Sequence, residues 1–271
     1  MDPAPPLVAL LLAAAFAAVD VGAEPGLVPR PPIVILGDNG PQGLQLAPGV
    51  PNPAVGVVRG SGTAADPYVV EGWLITGHRD GSGFHAGIDV HGTTKPLLIR
   101  GNTVRCLPAG SSCDHGIALL NARNVRVEAN VLDGAGDAGL FVGMPFGGPQ
   151  RHNVTIADNR IERAAMQGLF LVRLNHSVVE GNRIANNPAG CECFSVGAFD
   201  GVGGTAFRRN DIAGNLQGLF HSGTGTVLAE ENWWGHASGP ASCTNPGGKG
   251  NGATCNVDHT PWATEPQAAA G

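Results

Sequence analysis

An asparagine recurs along the middle of the chain, each time at the end of a short segment in which apolar residues alternate. Residues 125–132 read VRVEANVL and residues 154–161 read VTIADNRI, and four other segments follow the same pattern. The spacings between the six asparagines are 28, 29, 23, 28 and 22 residues. One unit of this length cannot bury an apolar side alone, so the repeat predicts a stacked solenoid with a continuous core. The recurring positions are Asn102, Asn130, Asn159, Asn182, Asn210 and Asn232.

The repeating segments are predicted to be β-strands because their apolar residues alternate with period two and are rich in Val and Ile. A second short strand lies between successive asparagines and usually opens with glycine, as in Gly116-Ile117 and Gly139-Leu140. In a parallel stack, each asparagine is expected at a corner, where its short amide tolerates left-handed backbone and bonds to the asparagine one turn away. A leucine-rich repeat is the rival, but its leucine-dense consensus and helical half are absent from the sequence.

Composition agrees with an ordered chain that contains little helix. Glycine supplies 42 of 271 residues without a Gly-X-Y period, which excludes collagen, and 42% hydrophobic residues suffice for a sizeable core. With a formal net charge of −6, the chain lacks the excess of positive charge that is typical of nucleic-acid-binding proteins, so no nucleic-acid partner is predicted.

The first 23 residues differ from the rest. Residues 7–19 are a continuous apolar run, and a small-x-small cleavage site follows at residues 21–23. This predicts a signal peptide over residues 1–23 and a secreted, periplasmic or cell-surface protein, with an N-terminal membrane anchor as the alternative. No other segment is long and apolar enough to span a membrane.

Six cysteines fit an oxidising compartment. Cys106 and Cys113 flank one short polar loop, and Cys243 and Cys255 flank another, so we predict a disulfide within each pair. The pairing of residues 191 and 193, both cysteines, stays open. Two thiols supply only half of a tetrahedral set, and we predict neither a metal site nor a cofactor.

Both ends of the repeat carry specific motifs. Residues 60–73 read GSGTAADPYVVEGW, residues 232–235 read NWWG, residues 238–240 read SGP, and residues 257–262 read VDHTPW. With these motifs the chain resembles the right-handed parallel β-helix family, in its NosD-like and pectate-lyase-like branch. The resemblance implies an all-β, right-handed single-stranded parallel β-helix of about seven coils. It also implies an N-terminal segment and cap over residues 24–66, repeats over 67–235, and a C-terminal cap and tail over 236–271.

The resemblance implies a polysaccharide ligand, since secreted β-helices act as lyases, hydrolases, epimerases or non-catalytic binders of polysaccharides. The sequence contains no Asp-Asp pair and no Arg-x-Pro-x-x-Arg, which the pectin lyases and polygalacturonases use. Copper handling, which is tied to the NosD branch, is disfavoured because the chain has only three methionines and no His/Met-rich tract. The fold alone does not establish any particular activity.

Aligning the units on the glycine that opens a strand places titratable residues in one column. His85, Asp114 and Asp137 each precede such a glycine by two positions, His115 is adjacent, and Asp89 is expected to project outward just beyond. Carboxylates about 4.8 Å apart could divide acid and nucleophile roles. The alternatives are a polar loop edge that faces water and a bound cation.

A second column is aromatic: Phe141, Phe170 and Phe220 each follow the glycine by two positions. An outward, exposed row of rings is a plausible shelf for sugars, unless a loop such as residues 143–151 folds over it. We therefore predict an exported β-helix that binds an extended carbohydrate or cell-surface glycan without catalysis. The alternatives are a polysaccharide lyase or glycoside hydrolase that uses the Asp114/Asp137 region, and a purely structural or interaction solenoid. The sequence predicts no oligomeric state.

Overall fold

The structure is a computed structural model that describes residues 26–77, 85–106, 113–143, 153–187, 196–199 and 204–267, with residues 196–199 described as backbone. The predicted signal peptide and the cysteines at positions 191 and 193 lie outside the described residues.

Short strands make up nearly all of the regular structure in the described ranges, which contain one 3-10 turn at Pro53–Val55. No helix in these ranges has the length and apolar character that a membrane span requires. In chain order the strands are β1 (Val28–Arg30), β2 (Ile33–Leu36), β3 (Gln45–Ala47), β4 (Val50–Pro51), β5 (Tyr68–Glu71), β6 (Trp73–Thr76), β7 (Ala86–His91), β8 (Leu97–Arg100), β9 (Thr103–Arg105), β10 (His115–Leu120), β11 (Val125–Glu128), β12 (Val131–Asp133), β13 (Ala138–Gly143), β14 (Val154–Ala157), β15 (Arg160–Glu162), β16 (Gln167–Val172), β17 (Val178–Glu180), β18 (Arg183–Ala185), β19 (Val196–Phe199), β20 (Ala206–Arg208), β21 (Asp211–Ala213), β22 (Leu219–His221), β23 (Val227–Leu228) and β24 (Val257–Asp258).

The strands stack into three parallel sheets. Sheet A has the order β1-β6-β9-β12-β15-β18-β21, sheet B the order β2-β7-β10-β13-β16-β19-β22, and sheet C the order β5-β8-β11-β14-β17-β20-β23-β24. Each turn of the chain adds one strand to sheet C, then one to A, then one to B, and β3 pairs with β4 in a separate antiparallel hairpin. The predicted all-β parallel β-helix is therefore confirmed.

Register fixes which residues form the interior. In strands β9, β12, β15, β18 and β21 of sheet A the middle residue is fully buried and lies directly beside its equivalent one turn away. Burying one such aliphatic side chain contributes roughly 1.5–3 kcal/mol, and the stack makes the contribution continuous along the axis. This column consists of Val104, Leu132, Ile161, Ile184 and Ile212.

The six recurring asparagines form one buried ladder. Each of the first five donates from Nδ2 to Oδ1 of the next asparagine at 2.9–3.0 Å, and each also donates its backbone N–H to that same oxygen. The backbone differs from the expectation, because the left-handed residue is the one before the asparagine, as at Ala129 (φ 51°) and Asp158 (φ 55°). The corner thus turns on the preceding residue, which leaves the asparagine side chain pointing inward.

A second, shorter asparagine ladder lies at the corner between sheets A and B. Asn187 Nδ2 donates to Asn215 Oδ1 at 3.1 Å, and Asn215 Nδ2 donates to Asn251 Oδ1 at 3.3 Å. The sequence alone does not indicate this ladder, because it covers only the last turns and no strand alternation surrounds its asparagines.

Two disulfides cross-link the chain, Cys106–Cys113 and Cys243–Cys255, with Cα–Cα distances of 5.2 and 5.1 Å. The second lies in the C-terminal segment, where Trp234 is fully buried and His259 packs between Trp234 and Trp262 at ring-centroid distances of 6.4 and 5.7 Å.

Candidate functional site

The candidate site is the outer face of sheet B, where the long strands β7, β10, β13 and β16 lie side by side. Two outward columns run across it. One contains Ala86, His115, Ala138 and Gln167, and the other contains Asp89, Ala118, Phe141 and Phe170 and continues through position 197 to Phe220. This register is the one that the glycine alignment predicts.

The glycines that open these strands are required by close backbone approach. A Cβ atom added at Gly116 would lie 2.6 Å from the carbonyl oxygen of Gly139, and one added at Gly139 would lie 2.4 Å from the side chain of Ile161. Both distances are shorter than real Cβ contacts. Glycine therefore lets the chain turn tightly out of sheet A and sets the phase of the outward columns that follow.

The aromatic column faces away from the interior, but it is not an open shelf. Phe141 and Phe170 pair in register with ring centroids 5.3 Å apart in an edge-on arrangement. Phe141 is only 4% exposed and packs with Ala118 and Leu120 in a cluster separate from the interior core. The expectation of an exposed ring is wrong at Phe141, because apolar packing outside the sheet encloses it. Phe170 and Phe220 are half-buried.

The loop that the sequence analysis named as a cover, residues 143–151, lies outside the described residues from position 144 onward. Its place relative to the rings therefore stays a prediction.

In the predicted titratable column, backbone hydrogen bonds join His85, Asp114 and Asp137 from one turn to the next. Asp114 donates its N–H to the carbonyl of His85 at 2.9 Å, and Asp137 donates its N–H to the carbonyl of Asp114 at 2.8 Å. His85 Nδ1 lies 3.2 Å from Asp114 Oδ2, and both side chains are about half exposed, at 46% and 57%. This rim of the outer face is the part that solvent and a ligand reach.

The buried His115 and the half-buried Asp137 form an electrostatically linked pair. His115 is buried and stacks on the ring of Phe141 at a centroid distance of 5.2 Å. Burial lowers the pKa of His115, against the opposing effect of Asp137 and Asp114. Burial likewise raises the pKa of Asp137, although His115 opposes it. The pair therefore favours a neutral imidazole beside a carboxyl that retains a proton more readily than a solvated one.

Asp89 occupies the outer face as predicted and is 0% exposed. Its Oδ1 lies 2.7 Å from His91 Nε2, but neither carboxylate oxygen accepts an aligned hydrogen bond from the described residues. His91 is not among the residues predicted from the sequence, although strand alternation places it on the same face as Asp89, two residues later.

Gln167 is a second functional candidate that the sequence analysis missed. It shares its column with His115, is buried, and its Oε1 accepts no hydrogen bond from the described part of the chain. Its only sequence signal is its position directly before the strand-opening Gly168. Within the described ranges, no three His, Cys, Asp or Glu side chains converge closely enough to hold a metal ion.

Comparison with known families agrees with the observed fold. A family model described as the right handed beta helix region matches residues 58–212, which is more than half of the chain and includes the outward columns from Asp89 to Phe170. No curated protein and no solved structure matches.

Proposed function

This chain belongs to the right-handed β-helix family, and from that premise we propose that it binds an extended carbohydrate along the outer face of sheet B. The proposal depends on two buried acceptors, the Asp89 carboxylate, which has only the close approach of His91 Nε2, and the Gln167 amide oxygen; neither accepts an aligned hydrogen bond from the described residues. Leaving a buried acceptor without a donor costs about 1–3 kcal/mol. Sugar hydroxyls are donors of the kind that would satisfy both.

The half-buried phenylalanines supply the apolar part of such a site. Phe170 and Phe220 lie two strands apart in one column, about 10 Å at the backbone. Their exposed edges can contact the flat, carbon-bearing faces of sugar rings, and each contact contributes on the order of 1 kcal/mol. The buried Phe141 packs edge-on beside Phe170 from the adjacent strand and, because it is enclosed, is not itself a platform.

The test is a glycan array on the full chain, followed by calorimetric affinities for the best oligosaccharide. Phe170→Ala is expected to weaken binding about fivefold, the loss of roughly one stacking contact. The matched control is Leu98→Ala, which truncates a half-buried, outward side chain on sheet C. Equal losses from both variants would refute the site. The absence of any glycan ligand would refute the function and favour a structural or interaction solenoid.

Export from the cytoplasm is part of the proposal. The two disulfides and the apolar run at residues 7–19 both support it. Mass spectrometry of the protein from the compartment outside the cytoplasm should find a chain that begins at residue 24. A chain that retains residues 1–23 would instead support the membrane-anchor alternative.

Glycan cleavage is the second candidate function, and the His115–Asp137 pair favours it. A carboxyl that holds its proton beside a neutral imidazole can serve as general acid, while Asp114, one strand spacing away, stays accessible to solvent. Retaining glycosidases hold their two carboxyl groups about 5–5.5 Å apart, close to the roughly 4.8 Å strand spacing.

Incubation of the bound oligosaccharide with the full chain separates the two candidates. If cleavage occurs, Asp137→Asn should abolish product release while leaving the melting temperature and the glycan affinity close to wild type. If wild-type protein binds the oligosaccharide and releases no product over extended incubation, catalysis is refuted and binding alone remains.

A further inference from the structure

Two segments of the chain match the acceptor pattern for N-linked glycosylation, in which an asparagine is followed two residues later by serine or threonine. They are Asn153-Val154-Thr155 and Asn175-His176-Ser177. Both lie at the corner between sheets B and C, where the chain enters strands β14 and β17. The pattern treats the two asparagines alike, so the surrounding structure decides which of them a transferase product can occupy.

The backbone at this corner separates the two asparagines. One residue of the corner has left-handed backbone in three turns, at Asn124 (φ 57°), Asn153 (φ 48°) and His176 (φ 54°). Asn153 is itself that corner residue, and it is exposed. Asn175 precedes the corner residue by one position and is only 8% exposed. A difference of one residue in phase therefore places the first amide at the surface and buries the second.

The hydroxyl groups of the two patterns differ in the same way. Thr155 is half-buried on the outer face of sheet C, while Val154 before it is buried in the core. Ser177 is 2% exposed, and its Oγ donates to the carbonyl of Asn175 at 3.1 Å and accepts from the backbone N–H of Val154 at 3.0 Å. The second pattern is thus enclosed by the fold, and the first is displayed on it.

The surroundings of Asn153 leave room for an attached glycan. Its Nδ2 donates to Asn124 Oδ1 at 2.9 Å, and because an amide nitrogen carries two hydrogens, the other one is available for replacement. A groove of about 290 Å³ lies beside Asn153 and Thr155, and its lining includes Pro96 and Leu98. The first sugars of a glycan on Asn153 would cover this apolar surface without displacing any part of the sheet.

We infer that Asn153 is an acceptor for N-linked glycosylation and that Asn175 is not. The donor class is an oligosaccharide carried on a polyprenyl diphosphate. The Asn153 Nδ2 forms a bond to the anomeric carbon of the first sugar and releases one proton, while the bond from that carbon to the diphosphate oxygen breaks and its electron pair leaves with the lipid diphosphate. Nothing is oxidised or reduced. The inference depends on the proposed export across a membrane, and it is independent of glycan binding at sheet B.

The test is expression of the full chain in eukaryotic cells that secrete glycoproteins, followed by peptide mapping with and without N-glycosidase. In protein that has crossed the membrane, the peptide with Asn153 should carry a glycan that the enzyme removes, and the peptide with Asn175 should be unmodified. Asn124 is an internal control, since it shares the corner geometry but is followed by Arg126 two residues later. A bare Asn153 on an exported chain would overturn this inference alone. A chain that stays in the cytoplasm with residues 1–23 attached would refute the export and this inference with it.

Variants locate the modification. Asn153→Gln and Thr155→Ala should each abolish the glycan, and the second variant does so while it keeps the asparagine. The matched control is Asn124→Gln, which changes the exposed amide that contacts Asn153 and should leave the glycan in place. Melting temperatures of the exported proteins check that each variant folds. A glycan that persists in Asn153→Gln, or one that is lost in Asn124→Gln, would overturn the assignment to Asn153.

Discussion

Replacing Asn159 by leucine removes one rung from the middle of the buried ladder while keeping the number and branching of the side-chain heavy atoms. The asparagine makes contacts in both directions along the axis. Its Oδ1 accepts from the backbone N–H and the Nδ2 of Asn130 at 3.0 Å, and its Nδ2 donates to the carbonyl of Val127 at 2.9 Å. Leucine can make none of these bonds.

The expected loss follows from the groups that stay buried without a partner. The backbone N–H of Asn130 loses its acceptor and the carbonyl of Val127 loses a donor, each at about 1–3 kcal/mol. Asn130 Nδ2 keeps two carbonyl partners and adds little. We therefore expect Asn159→Leu to lower the free energy of unfolding by about 2–4 kcal/mol.

The matched variant is Asn102→Leu at the N-terminal end of the ladder. There the carbonyl of Val70 loses its Nδ2 donor, as the carbonyl of Val127 does at position 159. Among the described residues, however, Oδ1 accepts from the backbone N–H of Trp73, which is partly buried and can turn to water. We expect a smaller loss, about 1–2 kcal/mol.

Urea unfolding of both variants, followed by far-ultraviolet circular dichroism, measures the two losses. A smaller loss at position 159 than at position 102, or no loss at either, would refute the reasoning that the ladder stabilises the stack through satisfied buried groups.

Three further predictions test other parts of the structure. Phe141→Ala should lower the free energy of unfolding in urea by about 3 kcal/mol because it leaves a cavity in an enclosed cluster. Phe170→Ala should lower it by less than half of that amount, and equal losses would contradict the difference in burial between the two rings. Peptide mapping without reduction should recover Cys106 linked to Cys113, and a free thiol at either position in protein from an oxidising compartment would contradict this. Burial lowers the pKa of His259 despite the opposing charge of the adjacent aspartate, so the unfolded chain takes up this proton first and stability should fall as pH drops below about 6.5. His259→Phe should reduce that fall, and an unchanged pH profile would count against it.

The parts of the fold that depend on local periodicity could be predicted from the sequence. Alternation identifies the strands, and the spacing of Asn102, Asn130 and the later asparagines sets the turn length. The strand-opening glycines predict the register that brings Asp114 beside Asp137. These signals repeat in every unit, so each repeat strengthens the same inference.

The features that depend on packing between distant segments could not be predicted. Alternation along the strand predicts that the Phe141 side chain points outward, but the burial of that side chain depends on what packs against the outside of the sheet. Gln167 and His91 are single polar residues. Only the burial of the Gln167 amide oxygen and the 2.7 Å approach of His91 Nε2 to Asp89 Oδ1 distinguish them from ordinary surface positions. The short ladder from Asn187 lacks a repeated segment, so its asparagines resemble ordinary turn residues.

The central claim is that the outer face of sheet B binds an extended carbohydrate. A crystal structure of the full chain, soaked with the tightest-binding oligosaccharide from the array, tests it most directly. We expect sugar rings against Phe170 and Phe220, with hydroxyl groups within hydrogen-bond distance of Asp89 or Gln167. An oligosaccharide bound on sheet A or sheet C, with the outer face of sheet B empty, would contradict it.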